Sequence, residues 1–179
     1  EETRMELKDA ISGHLKQSAK VKMLTAQACV EDITRAIDLV VAAFRNGNKL
    51  MICGNGGSAA DAQHMAAEFT GRLNKNLVRP GLPAMALTTD SSFMTAFTND
   101  FGYEGVFARQ VESLGKSGDV FLGISTSGGS KNILAAIEKC VTMGISVIAL
   151  TGEAGLRSDK ANVVISVPSD DTQFIQEAH

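Results

Sequence analysis

Cys53-Gly54-Asn55-Gly56-Gly57-Ser58 is the stretch on which the fold turns. Immediately before it, Leu50–Cys53 is apolar at every position; after it, from about 58 to 73, apolar residues recur at helical spacing. A short run without polar alternation fits a strand covered on both faces. A strand that passes through glycines into a helix opens a strand–helix–strand unit. Ala84–Leu87, Val120–Ile124, Val147–Leu150 and Val163–Val167 repeat the apolar run, with helical patterns near 104–115 and 131–143. The alternation predicts an α/β fold: a five-stranded parallel sheet with helices on both faces, flavodoxin-like, joined by right-handed crossovers. Upstream, Leu7, Ile11 and Leu15 form one helical stripe; Ile33, Ile37, Val40, Val41 and Phe44 form another, which Gly47 ends. The chain thus reads as a single domain, 1–179: a helical N-terminal segment over 1–46 and a parallel α/β core over 47–179. Both N-terminal helices have packing as their role, with another subunit as one partner for their apolar stripes.

The composition bounds the function. The 179 residues are 44% hydrophobic and 21% charged, with net charge −3, which is globular rather than disordered or fibrous. A pI of about 5.6 argues against a grip on nucleic-acid phosphates, so no nucleic acid is expected as a partner. No apolar run reaches the roughly 18 residues of a membrane span, and the opening residues lack the apolar core of a signal peptide. The expectation is a soluble, cytoplasmic protein that does not bind membranes. Cys29, Cys53 and Cys140 form no CxxC pair, so they read as buried apolar side chains in a reducing compartment. The seven methionines read as packing.

Ligands of an open parallel sheet bind beyond the carboxyl ends of its strands. There the sequence places Gly54–Ser58, Thr88–Asp90, Ser125–Ser130, Thr151–Gly155 and Pro168–Asp171, all rich in Gly, Ser, Thr, Asn and Asp. In the first loop the glycines permit close backbone approach, Ser58 is placed to cap the following helix, and the helix start favours an anion. In the second, Ser125-Thr126-Ser127-Gly128-Gly129-Ser130, four hydroxyls and two glycines precede a helix, again suited to a phosphate. No Walker lysine follows. Gly54-x-Gly56-x-x-Ala59 also matches the loose dinucleotide fingerprint, but its acidic partner, Asp90, lies far beyond the expected spacing of about 20 residues.

His64 and Glu68 are four apart on the first loop's helix, so they share a face. They could bind a metal together, form a proton-transfer pair, or be an ordinary polar surface pair. Asn99-Asp100 could accept from sugar hydroxyls or simply form a turn before Phe101-Gly102. Ser169–Thr172 reads as a helix start, with Gln176 and His179 on one face of that helix.

Taken together, Ile52–His64, Ala67–Arg72, Asn99–Gly102, the Gly123–Ser130 segment and Ile175–His179 closely resemble, in order and over nearly the whole chain, the phosphoheptose isomerases of the sugar isomerase (SIS) superfamily. The resemblance implies an SIS-type fold. It also implies an aldose–ketose isomerase converting D-sedoheptulose 7-phosphate to D-glycero-D-manno-heptose 7-phosphate, the first step toward the heptose of bacterial lipopolysaccharide. It implies a homotetramer with active sites near subunit interfaces, and one Zn2+ per subunit. Carried over by position, Ser125, Thr126, Ser127 and Ser130 hold the phosphate. Asn55, Gly56, Gly57, Ser58, Asn99, Asp100 and Gln176 contact the substrate. Glu68 contacts it too and is the catalytic proton carrier, while His64, Glu68 and Gln176 are metal ligands. In the family a further helix and another zinc-binding histidine follow five residues beyond the position of His179, so the C-terminal helix is expected to be incomplete; Phe174 stands where many relatives carry Arg. The rival is a non-catalytic, sugar-phosphate-binding SIS protein that recruits partners, of the replication-initiator-associating kind. Relatives of that kind tend to lack an acid at the Glu68 position.

Overall fold

A computed structural model describes residues 2–179; Glu1, part of the expected helical segment, lies outside them. Two helices, α1 (Glu2–Ala28) and α2 (Val30–Arg45), meet at Cys29. The core then runs β1 (Leu50–Cys53), α3 (Gly57–Thr70), β2 (Ala84–Ala86), α4 (Ser91–Phe101), a 3-10 turn at Tyr103–Gly105, and α5 (Val106–Leu114). It ends with β3 (Val120–Ile124), α6 (Lys131–Thr142), β4 (Ser146–Thr151), β5 (Val163–Ser166) and α7 (Thr172–Ala178). All neighbouring strands pair in parallel, in the order β2-β1-β3-β4-β5.

The strands are apolar at nearly every position because both faces are covered. Leu50 and Ile52 face a layer that includes Ala36 and Ala43 of α2 and Ala62 and Ala66 of α3. Met51 and Cys53, the alternate residues, face Val106, Phe107 and Val111 of α5 and Ile133, Ile137 and Cys140 of α6. A separate small cluster, Val21, Val167, Phe174 and Ile175, seats α7 on α1. The chain leaves β1 to one side through α3 and β2, then returns to its other side as β3. The strand order therefore reverses between β1 and β3, and a crevice opens at their carboxyl ends.

Several expectations need correction. The third helix stops at Thr70 rather than 73: Gly71 closes it onto the Ala67 carbonyl, and the Arg79 guanidinium takes the Glu68 and Phe69 carbonyls at 2.7 and 2.8 Å. Ser58 is not a cap. Gly56 holds that position and Ser58 is a buried residue inside α3. α4 is an element the strand–helix pattern left out, although Phe93, Phe97 and Phe101 recur at helical spacing; Asp90 starts it by accepting from Phe93 N at 2.9 Å. Asn99 and Asp100 consequently lie in its last turn, not in a loop. Met5 and Met23 are 64% and 66% exposed, so they do not pack in this chain.

At the opposite end of the sheet, Asp119 is fully buried and accepts from Lys49 N, Lys116 N and the Lys49 ammonium. Burial pushes its carboxyl up, but these donors together outweigh burial and hold it below the usual aspartate range. Its contribution is therefore present above the unfolded pKa and lost as pH falls below that range. Asp119→Ala is expected to cost about 3 kcal/mol of stability near neutral pH, read by urea unfolding. The gap from the parent protein narrows as the medium is acidified below the ordinary aspartate pKa.

Candidate active site

The first loop leaves β1 and enters α3 at Gly57. A Cβ on Gly57 would stand 2.1 Å from Oε1 of Gln176, so glycine is what lets α7 lay its amide on the start of α3. Asn55, next to it, is bonded to Asn132 of α6 and to the Tyr103 hydroxyl. Loop one is thus tied to the helix that leaves loop two.

The second loop is wound on its own hydroxyls. Ser125, 4% exposed, and Ser130 join their Oγ atoms at 2.9 Å, and Ser127 Oγ accepts from Gly129 N at 3.3 Å. Gly128 has φ +63 and would carry a Cβ 1.8 Å from the Gly155 carbonyl, so only glycine permits the turn. The Gly128 carbonyl accepts from Arg157 N at 2.9 Å. A cavity of about 530 Å³ adjoins the loop, lined among others by Thr126, Ser127, Glu153, Arg157, Asp170 and Thr172. The α6 N-terminus opens on the same loop and favours a bound anion.

His64 Nε2 and Glu68 Oε1 meet at 3.0 Å on α3, the histidine largely exposed and the carboxylate about one-third exposed. Asn99 donates to Asp100 at 2.9 Å, and both are exposed. Among the described residues no hydrogen bond or ion pair joins either pair to the two loops. The structure therefore brings together Asn55, Gly56, Gly57 and Gln176, and separately Ser125, Thr126, Ser127 and Ser130. It leaves His64–Glu68 and Asn99–Asp100 as two outlying pairs. Eleven residues of helix separate Gly57 from Glu68, a rise of about 16 Å.

α7 is set from behind. Asp171 caps it, accepting from Gln173 N at 3.0 Å. Glu177 takes hydrogen bonds from Ser18 and His14 of α1, which draw its carboxyl below the usual range. His179 bonds the Thr151 carbonyl at 3.1 Å; burial pulls its imidazole down. Its Nδ1 and Asp61 Oδ2 are buried without partners.

Zinc takes four nitrogen, sulfur or oxygen donors. His64 and Glu68 suit it by type, but no group of three His, Cys, Asp or Glu side chains that could hold a metal forms among the described residues, and Gln176 lies against Gly57. These residues do not complete a zinc shell within one chain.

Asn132, Tyr103 and Arg157 were missed by the sequence reading. Asn132 carried a faint signal, a polar residue just inside the helix after a hydroxyl-rich loop. Tyr103 and Arg157 carried none.

The matches to known proteins fit this architecture. Residues 15–152 match the SIS domain family, so the fold and its strand-end loops are those of a sugar isomerase domain. A phosphoheptose isomerase of Aneurinibacillus thermoaerophilus is 46% identical over 97% of this chain and 88% of its own length. The solved phosphoheptose isomerase from Neisseria gonorrhoeae superposes with a TM-score of 0.86 at 42% identity, over 96% of this chain and 91% of that one. The one from Francisella tularensis gives 0.88 at 38%, over 94% and 90%. The chain belongs to the phosphoheptose isomerase family.

Gly57→Ala is expected to push the Gln176 amide off α3. That movement is easy for a flexible side chain, so the melting temperature should hold while sugar-phosphate turnover falls about tenfold or more, checked by thermal unfolding and steady-state kinetics side by side.

Proposed function

We propose that this chain is the sugar-phosphate isomerase that interconverts D-sedoheptulose 7-phosphate and D-glycero-D-manno-heptose 7-phosphate, in the cytoplasm, on the route to bacterial ADP-heptose and lipopolysaccharide. One observation carries the reading. A glycine-rich loop and a glycine- and hydroxyl-lined loop lie on adjacent strand ends at the β1/β3 crevice, each leading into a helix N-terminus. The recruiting alternative gains no support from the relatives described, and Glu68 is the acid that such proteins tend to lack.

In this reading Ser125, Thr126, Ser127 and Ser130 bind the phosphate with the first N–H groups of α6. Holding the remote phosphate aligns the reacting end. Asn55, Gly56, Gly57, Ser58, Asn99, Asp100 and Gln176 contact the sugar. Glu68 takes the proton from C1 of the ketose, leaving an enediol(ate), and returns it to C2, while the hydroxyl proton passes from O1 to O2. His64, Glu68 and Gln176 are the candidates for one Zn2+ per subunit, to be joined by further donors.

The reach of the site supports a homotetramer with active sites near subunit interfaces. A rise of about 16 Å between Gly57 and Glu68 is long for one sugar phosphate, so a neighbouring copy's Glu68 would complete the site. The apolar stripe Leu7, Ile11 and Leu15 of α1 is more than half exposed, as a face awaiting another subunit would be. No helix among the described residues is long and apolar enough to cross a membrane.

Glu68→Gln is expected to lower kcat by about 10²–10⁴-fold while sedoheptulose 7-phosphate still binds by calorimetry; retained turnover would remove Glu68 as the base. Replacing Ser125 and Ser127 together with Ala raises the dissociation constant for the same ligand, and an unchanged constant would place the phosphate elsewhere. Turnover with and without a chelator tests the zinc assignment.

A further inference from the structure

Asn132 and Tyr103 have no part in the function just stated, yet their hydrogen bonds fix the orientation of a residue that does. Asn132 stands in the first turn of α6 and is 4% exposed. Tyr103 opens the 3-10 turn between α4 and α5. The backbone N–H of Ile133 can only donate, and it shares its hydrogen between the Ser130 carbonyl and Asn132 Oδ1, each at 3.0 Å. That contact identifies which end of the Asn132 carboxamide is oxygen. Its Nδ2 then donates to Asn55 Oδ1 at 2.8 Å, and Asn55 Nδ2 returns a hydrogen to Asn132 Oδ1 at 3.0 Å. The two amides close a reciprocal pair across the β1/β3 crevice. The Tyr103 hydroxyl adds a third bond, to the same Asn55 Oδ1, at 3.0 Å.

The consequence is a count of valences. Asn55 Oδ1 has two lone pairs, and both are used. Asn55 Nδ2 has two hydrogens, and one is used. What the carboxamide has left is a single N–H. Turning the amide over would set oxygen against oxygen and nitrogen against nitrogen in the pair with Asn132; the Tyr103 hydroxyl, able to donate or accept, then fills the second lone pair of whichever oxygen Asn132 fixes there. We propose that Asn132 and Tyr103 are positioning residues. Asn132 locks Asn55 in the one orientation that presents an N–H donor, never a carbonyl, to an oxygen of the sugar chain. Tyr103 takes the last lone pair of Asn55 Oδ1 and holds the side chain in place, and together they clamp the first loop to the helix of the second. The proposal rests on the isomerase reading. It assigns the ligand atom opposite Asn55 as an acceptor, a hydroxyl oxygen away from the two carbons that exchange the proton.

Two variants of the full chain test it with sedoheptulose 7-phosphate. Tyr103→Phe removes one donor from a partly exposed ring and leaves the fold intact. Asn132→Asp keeps the shape and both acceptor contacts but, ionised, cannot donate to Asn55. An N–H that binds the sugar equally before and during proton transfer contributes uniform binding. Tyr103→Phe is therefore expected to raise KM about 3- to 10-fold, and Asn132→Asp by about tenfold or more, with kcat within about threefold of the parent. Calorimetry should show the same weakening in Kd without relying on turnover. If both variants keep KM and Kd within about twofold, or lose only melting temperature, or lose kcat at constant KM, the pair is structural and the proposal is wrong. A parent protein that binds sedoheptulose 7-phosphate without turning it over would overturn the isomerase reading instead, with the Kd comparison still deciding the roles of Asn132 and Tyr103. Should Asn132→Asp fail to fold, Tyr103→Phe alone decides the matter.

Discussion

Parallel pairing of β1 with β3 is the constraint from which the site follows. Leu50 pairs with Ala84 on one side and Val120 on the other, so β1 is the strand at which the chain changes direction across the sheet. Both strands must end at the same edge, because parallel strands in register share their carboxyl ends. Two loops that are more than sixty residues apart in sequence are thereby made neighbours. The right-handed crossover rule leaves α3 on one face and α6 on the other. Their N-termini converge on one crevice, and the amides of Asn55 and Asn132 can meet across it.

A second layer of control comes from outside the sheet. α7 carries Gln176 to Gly57, but α7 is held by α1 through Ser18, His14 and the small apolar cluster around Val21 and Phe174. Phe174 fills this cluster, its ring 4.9 Å from His14. The N-terminal helix is thus a splint for a site residue, and not only a candidate surface for assembly.

The sheet was legible because burial on both faces removes polar residues from a strand altogether; Leu50–Cys53 and Val120–Ile124 are delimited to the residue. Its loops were legible because Gly57 and Gly128 stand where any side chain collides. α4 was not: its stripe, Phe93, Phe97 and Phe101, is short and at most half-buried against the core, and polar Ser, Thr, Asn and Asp residues interrupt it. Asn99 and Asp100, for which a turn before Phe101-Gly102 was the alternative to a sugar contact, are the end of that helix. In the site, residues that face a ligand carry recognisable types at recognisable spacings. Asn132 and Tyr103 work through another side chain, and that relation exists only once the fold has brought distant segments together.

The three cysteines are all buried, and burial pushes the Cys140 thiol up to about 12 and Cys53 well above its ordinary value. A thiolate is the form that reacts with alkylating reagents, so the native chain is silent to them. One cysteine introduced on the surface would take a fluorophore or spin label at a single place, without prior removal of the natural three. Two of the natural three would meanwhile keep time on the sheet's breathing: Cys53 and Cys140 lie in one core layer, and the rate at which they become alkylated would measure how often that layer opens.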